Sequence, residues 1–481
     1  MQYLLALVAL VGAATMLQGC DTDGALDGIQ QAFQRLGAVF GSGGSSAAQQ
    51  STLPSDGVEI PLAVKSWGNG LRLAISVSPV DSNGRSLPAQ ELVLDSGSST
   101  LAFCDTSLAD QVSPLQLPSY ISCNKYNPGG APTGYWGKFY KGSLLLGDGL
   151  QLNSSYYSVM QQQRSMPCEK GFQGIFGIAF KQLDVAFDAN SPSFQPFDDS
   201  GDSIQCPTQA AADLAPPLMQ LLRSSVASGQ LGIHWSGREG ASEATLYLDK
   251  AATSTPYYTH GSQAGQAALG ELGWYDISIQ QIALSGPAAA WVDFQCNPQG
   301  GTSSTCIMDT GTPILSVPRQ IYHAVVQLYY QSRLTGQDLG SLTVTLAGAS
   351  GAPVALEFSL RRLLENGWIK PGTGGVILGL PLWAFYYTVF DVKAGTATFV
   401  AKPQEAPETV PEANQPWLLQ GEAWELLVNS TRELDIELTP MPENATSEAQ
   451  AGLLEKIATA VSGNVADGGL RRLEDHEPVH V

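Results

Sequence analysis

The sequence repeats itself once, and that repeat limits the fold more than any other feature. Residues 91–100 read ELVLDSGSST and are followed by GIFGIAF at 174–180. Residues 305–314 read TCIMDTGTPI and are followed by VILGLPL at 376–382. In each half an apolar run delivers an Asp, then Ser/Thr, Gly and Ser/Thr, and an apolar-apolar-Gly run follows at comparable distance. A single Asp-Ser-Gly usually does no more than close a hairpin, because these are favoured turn residues. Two copies, each behind an apolar strand and ahead of its own apolar-Gly run, imply a pseudo-twofold protein with one carboxylate from each half, Asp95 and Asp309, at its interface. Gly97 and Gly311 let the backbone turn sharply and approach that pair. Ser98 and Thr312 are placed to hydrogen-bond the carboxylate of their own half. Ser96 and Thr310 are placed to reach across and lock the two loops together.

From Val58 to about Lys402 the chain is short β-type runs punctuated by Gly, Pro, Asn and Asp, among them LRLAISVSPV from Leu71, WYDISIQQIAL from Trp274 and YYTVFDVKAGTATFV from Tyr386. Helical patterns are fewer, PPLMQLLRSSVASG from Pro216 and PRQIYHAVVQLYYQSRL from Pro318. Each opens with Pro, whose fixed φ and missing N–H suit a first helical turn. The expected class is mostly β. Residues 186–215, rich in Asp, Ser, Pro and Gln, read as an inter-lobe connection. Beyond Lys402, PQEAPETVPEANQP reads as an extended linker.

The ends and the cysteines point to export. Leu4 to Leu17 is an apolar run too short to span a membrane comfortably, so residues 1–20 read as a signal peptide. Leu17-Gln18-Gly19-Cys20 also resembles a bacterial lipobox that would lipidate Cys20, although residues 1–3 carry no Lys or Arg. Residues 21–57, rich in Gly, Ser, Ala and Gln, read as a flexible leader or short pro-segment. No later segment reads as a transmembrane helix. Of seven cysteines, losing or lipidating Cys20 leaves an even set. Nearest-neighbour pairing gives Cys104–Cys123, Cys168–Cys206 and Cys296–Cys306, although sequence alone leaves the connectivity open. Sequons at Asn153, Asn429 and Asn444 fit a secretory glycoprotein.

Charge excludes one broad class. With 44 acidic against 24 basic residues and a net charge of −20, the chain has no basic face to replace phosphate counterions, so nucleic acid is not an expected partner. The same scarcity of cations keeps self-repulsion small when carboxylates protonate, which suits work in acid as well as plain solubility. Other hydrolytic signatures are missing: no G-x-S-x-G, H-E-x-x-H or P-loop occurs, and the five His show no ligand spacing.

Over roughly residues 58–402 the chain resembles the pepsin-like aspartic proteases. The resemblance is carried by the two D-[ST]-G-[ST] loops, GIFGIA, ILG followed closely by YYTVFD, and WYDISIQQIALSG before the second loop. It implies a bilobal, mostly β acid-protease fold, with residues 58–200 as the N-terminal lobe, 201–402 as the C-terminal lobe and 403–481 as an acidic linker and tail. It implies an aspartic-type endopeptidase acting on peptide or protein substrates as a monomer. Asp95 would serve as acid and Asp309 as base, with no metal or organic cofactor. The alternative is a pepsin-fold protein that binds without cleaving. Cys296 and Cys306 bracket a small loop before Asp309, as a family disulfide does. GYWGKFYKG at 134–142 is similar to the family's flap and makes Tyr135 the residue that closes over substrate; its other reading is a cross-strand packing residue. The chain departs from the pattern at Ala102, where the family usually has Trp, and at Trp136, where it commonly has Gly. It also lacks the usual Gly-x-Pro before the first loop, and has Leu380 where an Asp often follows the second ILG. Location follows as secreted or in a secretory or vacuolar-lysosomal compartment, the alternative being lipid-anchored at the surface through Cys20.

Overall fold

The structure, a computed structural model, describes residues 53–403 apart from short internal stretches, the longest being 112–119, 127–132, 197–204 and 297–305. The signal and lipobox, most of the leader, the tail, and the sequons at Asn429 and Asn444 lie outside the described residues.

The first half contributes β1 (Val58–Trp67), β2 (Gly70–Val80), β3 (Gln90–Asp95), β4 (Leu101–Phe103), β5 (Tyr120–Tyr126), β6 (Thr133–Leu146), β7 (Leu150–Arg164), β8 (Gly174–Gly177), β9 (Asp184–Asp188) and β10 (Ala210–Leu214). The second half contributes β11 (Gln230–Trp235), β12 (Gly240–Leu248), β13 (Ser262–Ala268), β14 (Ile279–Leu284), β15 (Ala290–Asp293), β16 (Ile307–Met308) and β17 (Leu315–Val317). It ends with β18 (Ser341–Leu346), β19 (Val354–Ser359), β20 (Ile369–Pro371), β21 (Ile377–Leu378), β22 (Tyr386–Asp391) and β23 (Thr396–Ala401). The mostly β class is borne out. Both Pro-led helices form, as Pro217–Leu222 and Arg319–Thr335. Among the described residues no helix is long and apolar enough to cross a membrane.

Strand composition explains strand position. β19, VALEFS, alternates buried and exposed, as a sheet with one wet face requires. β8, GIFG, and β4, LAF, are buried throughout, as strands covered on both faces must be. A sheet of fifteen strands runs β10-β9-β5-β6-β7-β4-β8-β3-β2-β1-β12-β11-β22-β23-β13, and two four-stranded sheets belong to the second half alone. The halves are therefore joined through β1, which pairs β2 on one side and β12 on the other. One apolar cluster, from Leu73 and Phe176 to Trp235, Trp383 and Phe390, is continuous across both halves.

The repeat has the same strand plan twice. β3 pairs β8 in parallel, setting Asp95 opposite Gly177, and β4 returns antiparallel on the other side of β8. β16 pairs β21 in parallel, setting Met308 opposite Leu378, and β17 returns antiparallel on β21. Each apolar-Gly run is thus the strand that its own Asp loop wraps around. The glycine is needed for close approach: a Cβ on Gly177 would meet the Ser98 carbonyl at 2.7 Å, and one on Gly379 would meet the Thr312 carbonyl at 2.5 Å.

Two disulfide expectations are corrected. The structure bridges Cys104 to Cys168 and Cys123 to Cys206, in place of Cys104–Cys123 and Cys168–Cys206; the third bridge is Cys296–Cys306. Proximity in sequence misleads here because the sheet order is non-local. Cys104 directly follows β4, which lies against β8, and its N–H donates to the Gln173 carbonyl at 2.9 Å. Cys123 lies in β5, beside β9. The stretch read as an inter-lobe connection folds back on itself: β9 and β10 pair antiparallel, and Cys206 ties the excursion to β5. Asn153 lies in β7, where its Oδ1 accepts from Ser143 Oγ at 3.2 Å and Gln151 Nε2 at 2.8 Å.

Candidate active site

Both Asp loops leave their strands toward one another and are bonded to each other reciprocally. The Ser96 N–H donates to Thr310 Oγ1 at 2.9 Å, and the Thr310 N–H donates to Ser96 Oγ at 2.9 Å. Each hydroxyl then donates onward across the interface, Thr310 Oγ1 to the Leu94 carbonyl at 2.8 Å and Ser96 Oγ to the Met308 carbonyl at 3.0 Å. Both side chains are fully buried. Only a small residue with a hydroxyl can accept from one backbone and donate to the other in so narrow a space.

Inside this brace stand the carboxylates. A Cβ on Gly97 would lie 2.8 Å from Asp309 Oδ1, and one on Gly311 would lie 2.5 Å from Asp95 Oδ1. Neither glycine has a positive φ, so it is the approach of the opposite acid that requires glycine here. The Gly97 N–H donates to Asp95 Oδ1 at 2.9 Å and to Asp309 Oδ1 at 3.1 Å. Asp309 also accepts from the Gly311 N–H at 2.8 Å and from Thr312 Oγ1 at 2.5 Å. Ser98 is buried, and its N–H reaches the Asp95 carbonyl at 3.4 Å.

The electrostatics separate the two acids. Burial pushes the Asp95 carboxyl well above the usual carboxylate range. The Asp309 charge and a hydrogen bond between the two side chains push it the same way, against the Gly97 N–H and, last, the charge of Arg72. Asp309 accepts from three protein donors, the Gly97 and Gly311 N–H groups and Thr312 Oγ1. Such a pair can keep one proton on Asp95, offer one basic oxygen on Asp309 and grip a small polar molecule between them.

A group whose pKa rises on folding contributes stability that is fully present below its unfolded pKa, about 4 for Asp, and is lost as pH rises through the folded value. Asn at 95 does not titrate. The melting temperature of the wild type minus that of Asp95→Asn should therefore fall as pH is raised from about 4 to 7. Calorimetry on both proteins across that range checks it; a difference that grows with pH contradicts it.

Tyr135 lies within β6 opposite Asn124, fully buried against Ala102, Met160 and Ile175 beside the Cys104–Cys168 bridge. Its hydroxyl accepts from Asn124 Nδ2 at 2.9 Å, and that amide also donates to Thr100 Oγ1 at 3.2 Å. The small Ala102 stands against the ring, at the position where the family usually has Trp. Trp136, on the opposite face of the strand, donates from Nε1 to Gln162 Oε1 at 2.8 Å and packs edge-on against Phe194 at 5.4 Å. Sequence reasoning passed over Arg72 altogether; in LRLAISV it looks like any polar residue of an alternating strand.

No family model matches the chain. Among curated proteins it is 26% identical over 251 residues to gastricsin of Homo sapiens, covering 47% of this chain and 54% of that one, so the chain spans about half the length of the curated relative it matches. Among solved structures it is similar to the aspartic proteinase from Irpex lacteus, with a TM-score of 0.48 and 14% identity over 72% of this chain and 97% of that one.

Proposed function

We propose that this chain is a pepsin-like aspartic endopeptidase in which Asp95 and Asp309 activate a water molecule against a peptide bond. The observation that carries the reading is the meeting of two symmetry-related carboxylates inside a reciprocal hydrogen-bonded brace, with one acid raised and the other richly supplied with donors. Likeness to gastricsin over half its length supports the same family.

Two carboxylates this close share one proton. In the proposed cycle Asp309 takes a proton from the water as its oxygen attacks the scissile carbonyl carbon. Asp95 gives its proton to the carbonyl oxygen, producing a neutral tetrahedral diol. Return of that proton from Asp309 to the amide nitrogen lets the C–N bond break, and as the carbonyl re-forms one diol hydroxyl gives its proton back to Asp95. The products are an acid and an amine, and the pair ends with the single proton it began with. The buried setting strengthens each of these electrostatic steps. The substrates are extended peptides or unfolded protein. Three bridges among the six cysteines of residues 58–402 suit an oxidising, secretory or vacuolar-lysosomal location.

A second reading, a pepsin-fold protein that binds without cutting, draws on the departures from the family's pattern at Ala102 and Trp136 and on the buried state of the Tyr135 ring. Incubating the full chain with denatured protein at mildly acidic pH separates the two. The proposal expects internal peptide cuts that a statine-type inhibitor suppresses; intact substrate throughout favours the binding reading.

A further inference from the structure

Two cations stand opposite one another on the β1–β2 hairpin, Lys65 and Arg72. Lys65 is paired with Glu91. Arg72 has no carboxylate within 4.0 Å among the described residues. Among the described residues its Nη1 donates only to the neighbouring Leu71 carbonyl at 3.0 Å and its buried Nε has no acceptor, while its guanidinium lies 4.8 Å from the Trp67 ring centre.

The same hairpin touches the second Asp loop. A Cβ on Gly70 would lie 2.7 Å from Pro313 Cγ and 3.3 Å from Arg72 Nη1, so the guanidinium stands beside the loop that carries Asp309 and Thr312. Trp67 in turn packs on Phe172 at 6.0 Å, which fixes the platform under the guanidinium. Burial lowers the Arg72 pKa to about 10 while Asp309 and Asp95 act to raise it, so the side chain remains a cation at every pH where the pair could work.

A half-buried cation with an idle N–H is costly to leave uncompensated. The fork of a guanidinium matches a carboxylate. We infer that Arg72 forms a carboxylate-binding subsite beside the dyad, so that preferred peptides carry an Asp or Glu side chain within a few residues of the bond cut. This rests on the proteolytic reading and narrows its substrate class.

The test uses statine-containing octapeptides on the full-length chain, made as pairs with Glu or Gln at one position at a time. At one position the Glu peptide should inhibit the wild type about ten- to a hundredfold more tightly than its Gln partner. Arg72→Gln should level the pair to within about twofold, and Arg72→Glu should favour Lys there. Equal inhibition by every wild-type pair, or a Glu preference that survives in Arg72→Gln, overturns the inference. The wild-type pairs decide alone if the variants do not fold. If no statine peptide binds, the proteolytic reading falls and this one with it; if both members of every pair bind equally, only the subsite is lost.

Discussion

Asp309→Asn should lower kcat/KM for peptide cleavage at least about a thousandfold while leaving the fold intact, because a positioned general base contributes on that order. The substitution is close to isosteric, so the Gly97 and Gly311 N–H groups still find an amide oxygen where they found a carboxylate. What disappears is the basic oxygen that accepts the proton of water. Asp95→Asn should be as damaging, through loss of the acid that polarises the carbonyl. Near-ultraviolet circular dichroism and melting curves must remain close to wild type for the comparison to count. Activity within about tenfold of wild type in either variant would remove the dyad from the chemistry.

Thr310→Val should cost about 2–4 kcal/mol of stability, since it strands two buried backbone groups at once. Those groups are the Ser96 N–H, which gives to Thr310 Oγ1, and the Leu94 carbonyl, which receives from it. Valine matches threonine in shape, so no cavity confuses the result. Urea titration measures the loss. Ser96→Ala removes the mirror-image bonds. Because the two hydroxyls belong to one network, the double variant should lose clearly less than the sum of the single losses. Strict additivity would mean that the loops are held by something else.

The sequence made the site legible because a duplicated motif carries long-range information that a single motif does not. Asp95 and Asp309, the Ser96–Thr310 brace and the wrapped glycines Gly177 and Gly379 all follow from noticing that two halves must meet. Mostly β architecture followed from alternation and turn residues. Pairings that depend on strand order did not follow. Cys104 finds Cys168 only because β4 lies against β8, and no local pattern announces that neighbour. The surroundings of Tyr135 depend on long-range pairing in the same way: its spacing from Gly142 is read in the sequence, but that its ring is buried beside Ala102 and Met160 is not. Arg72 was invisible because its character depends on Pro313, far along the chain, reaching the tip of its hairpin.

The pH dependence of kcat/KM for a neutral peptide tests the shared-proton dyad most directly. The account predicts a bell with its maximum in acid, failing on one side when the pair gains a second proton and on the other when it loses its only one. Activity that climbs steadily through neutral pH, with no alkaline decline, would contradict it.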